Sequence, residues 1–303
     1  MMIEFEALKG SKMTIKSNQK MSQKNKAIIA MLISAFSFSI MSISVKLAVD
    51  IPVYEKVFFR NFFTLFFAYY IVKKNKAPLF GTTKGRPFLI ARSISGMLGV
   101  ITMFYALSKI DVATATTIQK LSQFWVLIFA AIFLNEKIGV KQYAYLLLAL
   151  VGVVIVSKPS APEVLMPTLI CFSSSIFAGI AYAFLSKLKT YEHPTTVVFF
   201  FSCFSTVVML VPMLLNFKWF TFHEFILLLL MGLGGLGGQI FLTNAYHYAS
   251  ASDVSIYAYA NIIFSAMLAF VIWGSLPDLW TTIGIVIIIA ASYLNYAEVK
   301  KHK

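Results

Sequence analysis

The chain has 303 residues, of which 59% are hydrophobic and only 13% charged, with a mean hydropathy of +0.80. Soluble domains carry about 25% charged residues, so this composition excludes a soluble globular protein and points to a polytopic membrane protein. A net charge of +14 does not indicate nucleic acid, because the basic residues are dispersed among short loops and two tails and leave no basic groove.

Residues 1–26 form a polar, lysine-rich tail. It is read as a tail touching anionic lipid rather than a signal peptide, because the apolar run behind it is too long and no small-residue cleavage site follows. Ten apolar runs come next, at about 27–49, 54–72, 88–107, 113–133, 139–157, 164–186, 195–215, 223–247, 254–273 and 278–297. Helices of such lengths, rising about 1.5 Å per residue, cross about 30 Å of hydrocarbon. Residues 298–303 form a short C-terminal tail. An even number of spans puts both termini on one side. With the N-terminus inside, eighteen lysines and arginines fall in inner segments and four (Lys56, Lys109, Lys158 and Lys218) in outer loops. That bias predicts cytoplasmic termini and a multi-pass protein of the cell inner (cytoplasmic) membrane.

Along the spans, polar residues are few. Lys46 lies within a turn of the outer end of span 1, within reach of headgroups. Arg60 in span 2 and Lys120 in span 4 both lie about 10 Å inside the outer boundary. A buried ammonium costs at least about 2.5–3.5 kcal/mol on insertion scales, so an intramembrane lysine without an acidic partner in its span suggests a cavity. Snorkelling is the alternative for Lys120, and donation to neighbouring helix carbonyls the alternative for Arg60. Arg92, near the inner end of span 3, is read as a headgroup contact or an inner-gate tie to Glu136, which closes span 4. Thr116, Lys120 and Gln123 follow i, i+4, i+7 spacing and share one helical face. Cys171 and Cys203, each inside an apolar run, read as packing residues rather than a disulfide or metal pair. Gly232, Gly234 and Gly237 match a dinucleotide fingerprint formally, but inside an apolar run they serve close helix approach or bending. His247, placed near the outer end of span 8, is the one candidate titrating near neutrality, with a structural role the alternative. No carboxylate lies deep in a span, so facilitated movement or exchange is expected rather than proton or sodium coupling. No metal set and no serine–histidine pair is expected at membrane depth, so neither an enzyme nor a cofactor is indicated.

The chain also repeats. Sliding 99–134 onto 238–273 brings Gly99 onto Gly238, Ala106 onto Ala245 and Thr116 onto Ser255, with Gly96 falling on Gly235. Each half, 27–157 and 164–297, holds five spans, and an odd number inverts the second against the first. Inverted repeats place a substrate site near the midplane between the halves. In this register Ser255 and Tyr259 of span 9 mirror Thr116 and Lys120 of span 4. Tyr257, Asn261, Asn244, Trp125 and Tyr182 are the further candidates for the wall of a shared cavity.

The stretch 92–159, with its "YAL" turn, a fourth span closing on "FLNEK" and a fifth carrying "GVVIV", together with "FFRN" at 58–61, resembles the drug/metabolite transporter superfamily in its ten-span EamA-type branch. Two departures are Gln123, where the family often has a proline, and Ser275, where it often has an acid. The resemblance implies a secondary transporter of a small polar or amphipathic metabolite such as an amino acid, an amine, a nucleoside-like compound or a drug, working by alternating access. An importer or exchanger of S-adenosylmethionine-like metabolites is the alternative, and a non-catalytic structural membrane protein the alternative of another class. Partners are then the small-molecule substrate, membrane lipid and, at most, a second copy of the chain.

Overall fold

The computed structural model describes residues 22–134, 140–157, 162–249, 254–274 and 276–301. Every regular element among them is helical. In chain order these are α1 (Gln23–Leu47), α2 (Val53–Lys74), α3 (Arg86–Lys109), α4 (Val112–Gln119), α5 (Ser122–Leu134), α6 (Val140–Ser157), α7 (Pro162–Leu188), α8 (Pro194–Leu215), α9 (Phe222–Tyr248), a 3-10 segment (Ser255–Tyr259), α10 (Ala260–Trp273) and α11 (Leu279–Lys301). An all-helical build is what hydrocarbon demands, since a helix satisfies its own backbone donors and acceptors.

Seven segments are long and apolar enough to cross a membrane by length and composition, and they fall on expected spans 1, 3, 6, 7, 8, 9 and 10. The other expected spans depart for identifiable reasons. Helix α2 is long enough, but it carries Glu55, Lys56, Arg60, Lys73 and Lys74. Span 4 is divided into α4 and α5. Span 5 corresponds to α6, whose apolar stretch Tyr143–Val156 is short. Large apolar side chains such as Phe66, Tyr70, Val211, Leu214 and Val151 stay exposed on the outer faces, as lipid-facing residues do.

The helices pair across the two halves of the chain. The most extensive contacts join α1 to α9, α3 to α7, α2 to α8 and α6 to α11. Small residues set the closest approaches. A Cβ at Gly234 would lie 2.8 Å from the Ser37 carbonyl of α1, and one at Gly232 2.5 Å from Phe63 of α2. Hydroxyls complete the same seams: Ser34 donates to the Gly238 carbonyl at 2.8 Å and Thr64 to that of Gly232 at 3.2 Å. The glycines that imitate a dinucleotide fingerprint are therefore helix-packing residues.

Candidate functional site

Span 4 is interrupted at Lys120, and the local sequence supplies a reason. Thr116 and Thr117 donate back to the Val112 and Ala113 carbonyls at 2.7 and 2.6 Å, a competition that bends helices. The chain then tightens into three-residue hydrogen bonds: Lys120 N–H donates to Thr117, Leu121 to Ile118, Gln123 to Lys120 and Phe124 to Leu121. At the equivalent place in span 9 the 3-10 segment Ser255–Tyr259 leads into α10. The two interruptions touch, because the Tyr259 hydroxyl donates to the Lys120 carbonyl at 3.3 Å and also meets Ser292 Oγ of α11.

Beside this crossing is an internal cavity of about 90 Å³. Arg60 enters from α2, Arg92 from α3, Lys120 from the span 4 interruption, Tyr182 from α7, Gln239 from α9 and Asn261 from α10. Phe201 of α8 meets both arginines, with its ring centroid 5.5 Å from the Arg60 guanidinium carbon and 4.1 Å from that of Arg92. A cation against an aromatic face gains about 2 kcal/mol when desolvated, which offsets only part of the cost of burying two guanidiniums. Each guanidinium also has one short neutral partner: Arg60 Nη1 donates to Asn61 Oδ1 at 2.6 Å, and Arg92 Nη2 to Gln239 Oε1 at 2.6 Å. Nε and Nη2 of Arg60, and Nε and Nη1 of Arg92, are buried without a partner. No carboxylate lines this cavity. The repeat-mate glycines hold the arginines: a Cβ at Gly235 would lie 2.5 Å from Arg60 Nε, and one at Gly96 3.3 Å from Arg92 Nη1.

Of the residues singled out in the sequence, Lys120, Arg60, Tyr182 and Asn261 share this wall. Asn261 also ties α10 to α1, donating to the Ala35 carbonyl at 3.0 Å and to Ser39 Oγ at 2.7 Å. Tyr259 stands behind the wall as the support for the Lys120 backbone. Thr116 is buried and spent on its own helix. Gln123 turns away and accepts from the Tyr246 hydroxyl at 3.4 Å. Trp125 donates to Ser175 Oγ at 3.1 Å, while Asn244 and Tyr257 are half-buried outside the wall. Ser255 opens the 3-10 segment, and its side chain, like the whole of Glu136, lies outside the described residues.

Lys46 Nζ donates to the Ile110 carbonyl at the end of α3, at 2.9 Å. Two expectations require correction. Arg92 is not a headgroup contact: it is 2% exposed and turned into the cavity, because Gln239 and the Phe201 face receive it there. His247 lies not at the outer end but beside Lys189 and Glu192, on the face of the bundle that carries the lysine-rich loops. Gln119, Gln239 and Phe201 were missed. Gln239 follows a glycine in the repeat register, but nothing in the sequence marks a lone glutamine or phenylalanine among so many apolar residues.

Two carboxylates outside the cavity join the halves at opposite ends. At one end Glu192, before α8, accepts from the Thr82 N–H at 2.6 Å and the Thr82 hydroxyl at 2.8 Å. At the other, Glu55, in the first turn of α2, accepts from the Lys218 N–H. Each links the start of the second span of one half to the loop between the second and third spans of the other. Each also retains one buried oxygen, Oε2, without a partner.

A model for the EamA-like transporter family matches the chain twice, over residues 25–158 and 165–297. The pseudopaline exporter of Pseudomonas aeruginosa is 32% identical over 87% of this chain and 93% of its own. The S-adenosylmethionine uptake transporter of Rickettsia bellii is 32% identical over 82% of this chain and 85% of its own. A solved crystal structure superposes with a TM-score of 0.69 over 91% of this chain and 98% of its own, at 14% identity, which speaks for the fold alone.

Proposed function

This chain belongs to the EamA-like transporter family, and on that premise we propose that it is a secondary transporter whose small polar cargo, bearing an anionic or zwitterionic group, passes through the cavity of Arg60, Arg92 and Lys120. The observation that carries the reading is the set of three buried cations on one wall without a lining carboxylate. A purely structural membrane protein has no need to sustain that cost. The relatives named above are a transporter for uptake and an exporter, which supports movement of a small molecule.

The proposed mechanism is alternating access between two inverted five-span halves. Its support lies in the contact pattern. Exchanging the halves converts the α1–α9 pair into α7–α3, and returns the α2–α8 and α6–α11 pairs to themselves. The same exchange relates the Glu55 and Glu192 ties, one at each end of the bundle. Opening toward one side then requires loosening of the tie at that side, while the other holds the halves together. With the lysine-rich loops placed inside, Glu192 is the cytoplasmic tie and Glu55 the outer one.

The test is counterflow. Proteoliposomes preloaded with a panel of unlabelled zwitterionic and anionic metabolites are challenged with the labelled form of each. At least one cargo is expected to show preload-accelerated uptake, since no carboxylate is available in the cavity to couple a proton. A protein with no flux of any panel member is the structural protein instead. Accumulation driven by a proton gradient alone would remove the exchange mechanism.

A further inference from the structure

The charge of the cavity restricts the cargo further than its polarity does. Three cationic side chains face one space of about 90 Å³. Their neighbours on the wall are neutral amides, a phenol and apolar groups. The two short acceptors, Asn61 Oδ1 and Gln239 Oε1, take up one N–H from each guanidinium and contribute no negative charge. Two further nitrogens on each arginine remain buried and unpartnered, and these are donors that a forked oxyanion fits. Lys120 reaches the same wall from the interruption of span 4, while Phe201 is in cation–π contact with the two arginines. A monoanion neutralises one of three charges and leaves the remaining cations to repel each other in a low-dielectric site.

Resting on the transporter reading above, we propose that the cargo carries at least two oxyanionic groups, carboxylate or phosphate, one held by the unpartnered N–H groups of Arg60 and Arg92 and the other by the Lys120 ammonium. A net-cationic solute is excluded by the same wall. The small volume further favours a compact dianion over drug-sized molecules, whose pockets run to about 300–1,000 Å³.

Thermal unfolding of the purified protein with added succinate, 3-phosphoglycerate, acetate, lysine or S-adenosylmethionine, each at millimolar concentration and matched ionic strength, tests this. Succinate or 3-phosphoglycerate is expected to raise Tm, acetate to do so weakly, and lysine and S-adenosylmethionine not at all. In Arg92→Gln the dianion affinity should fall about tenfold or more, as loss of charge-assisted bonds implies. Arg92→Lys, which keeps the charge without the fork, should recover part of it. If Arg92→Gln does not fold, the Lys variant and the salt dependence of dianion binding in the native protein carry the test. Binding that is insensitive to salt overturns the proposal. So does stabilisation by S-adenosylmethionine or acetate equal to that by the dianions, and so does no stabilisation by either dianion. Counterflow of a monoanion or neutral zwitterion without dianion preference would overturn this inference and leave the transporter reading standing, whereas absence of any flux removes both.

Discussion

Lys120 concentrates the argument at the scale of one residue. It is 9% exposed, lines the cavity and makes no ion pair among the described residues. Replacing it with methionine keeps the length of the stem while removing a charge whose insertion costs at least about 2.5–3.5 kcal/mol. Lys120→Met is therefore expected to fold as well as the native protein or better, judged by Tm. Transport should fall about tenfold or more, since a charge-assisted hydrogen bond is worth about 1.5–3 kcal/mol and each 1.4 kcal/mol is a factor of ten. Lys120→Arg should retain partial flux if charge alone is required, and lose it if the small cavity cannot take the wider guanidinium. Native flux in the methionine variant would make Lys120 a bystander and leave the arginine pair as the site.

Among the elements, the paired interruptions of spans 4 and 9 matter most. Lys120 lines the cavity, while Gln123, on the far side of the interruption, accepts from the Tyr246 hydroxyl. The Tyr259 hydroxyl braces this geometry by donating to the Lys120 carbonyl, which also accepts the Gln123 N–H. Tyr259→Phe removes two polar contacts between membrane helices, with the Lys120 carbonyl and Ser292 Oγ, each a loss averaging about 0.6 kcal/mol, so Tm should drop only modestly. Transport should fall more than that small loss predicts, because the carbonyl and the lysine beside it lose their fixed position. A fall in flux that merely tracks a fall in folded protein would reduce Tyr259 to ordinary helix packing.

For the whole molecule, the ties of Glu55 and Glu192 bring loops into two groups, one at each end. Residues 73–86 and 187–193, rich in lysine, meet through Glu192, and the start of α2, which bears Lys56, meets the loop bearing Lys218 through Glu55. Topology follows from which group stays in the cytoplasm. Cysteine-reactive or epitope tags at residues 1 and 303 should be inaccessible in intact cells and become accessible on permeabilisation, whereas a tag in the loop holding Lys218 should be labelled from outside. Labelling of either terminus from outside would reverse the assignment and exchange the roles of the two ties.

Hydropathy alone determined that the chain is a helical membrane protein, and repeat spacing marked the positions that recur in both halves. Both are one-dimensional properties: transfer of a long apolar segment into hydrocarbon depends on its composition, and a repeat is a property of spacing. Tertiary structure alone decided which way the side chains turn. In water an amphipathic stripe declares the buried face of a helix, but lipid and helix interior are equally apolar, so the sequence of a span leaves its inward face unmarked. Arg92 looked like an interfacial residue until Gln239 and the Phe201 ring, contributed by the other half of the chain, supplied its partners. Glu192 and Glu55 likewise owe their partners to loops far away in sequence, which no local pattern specifies.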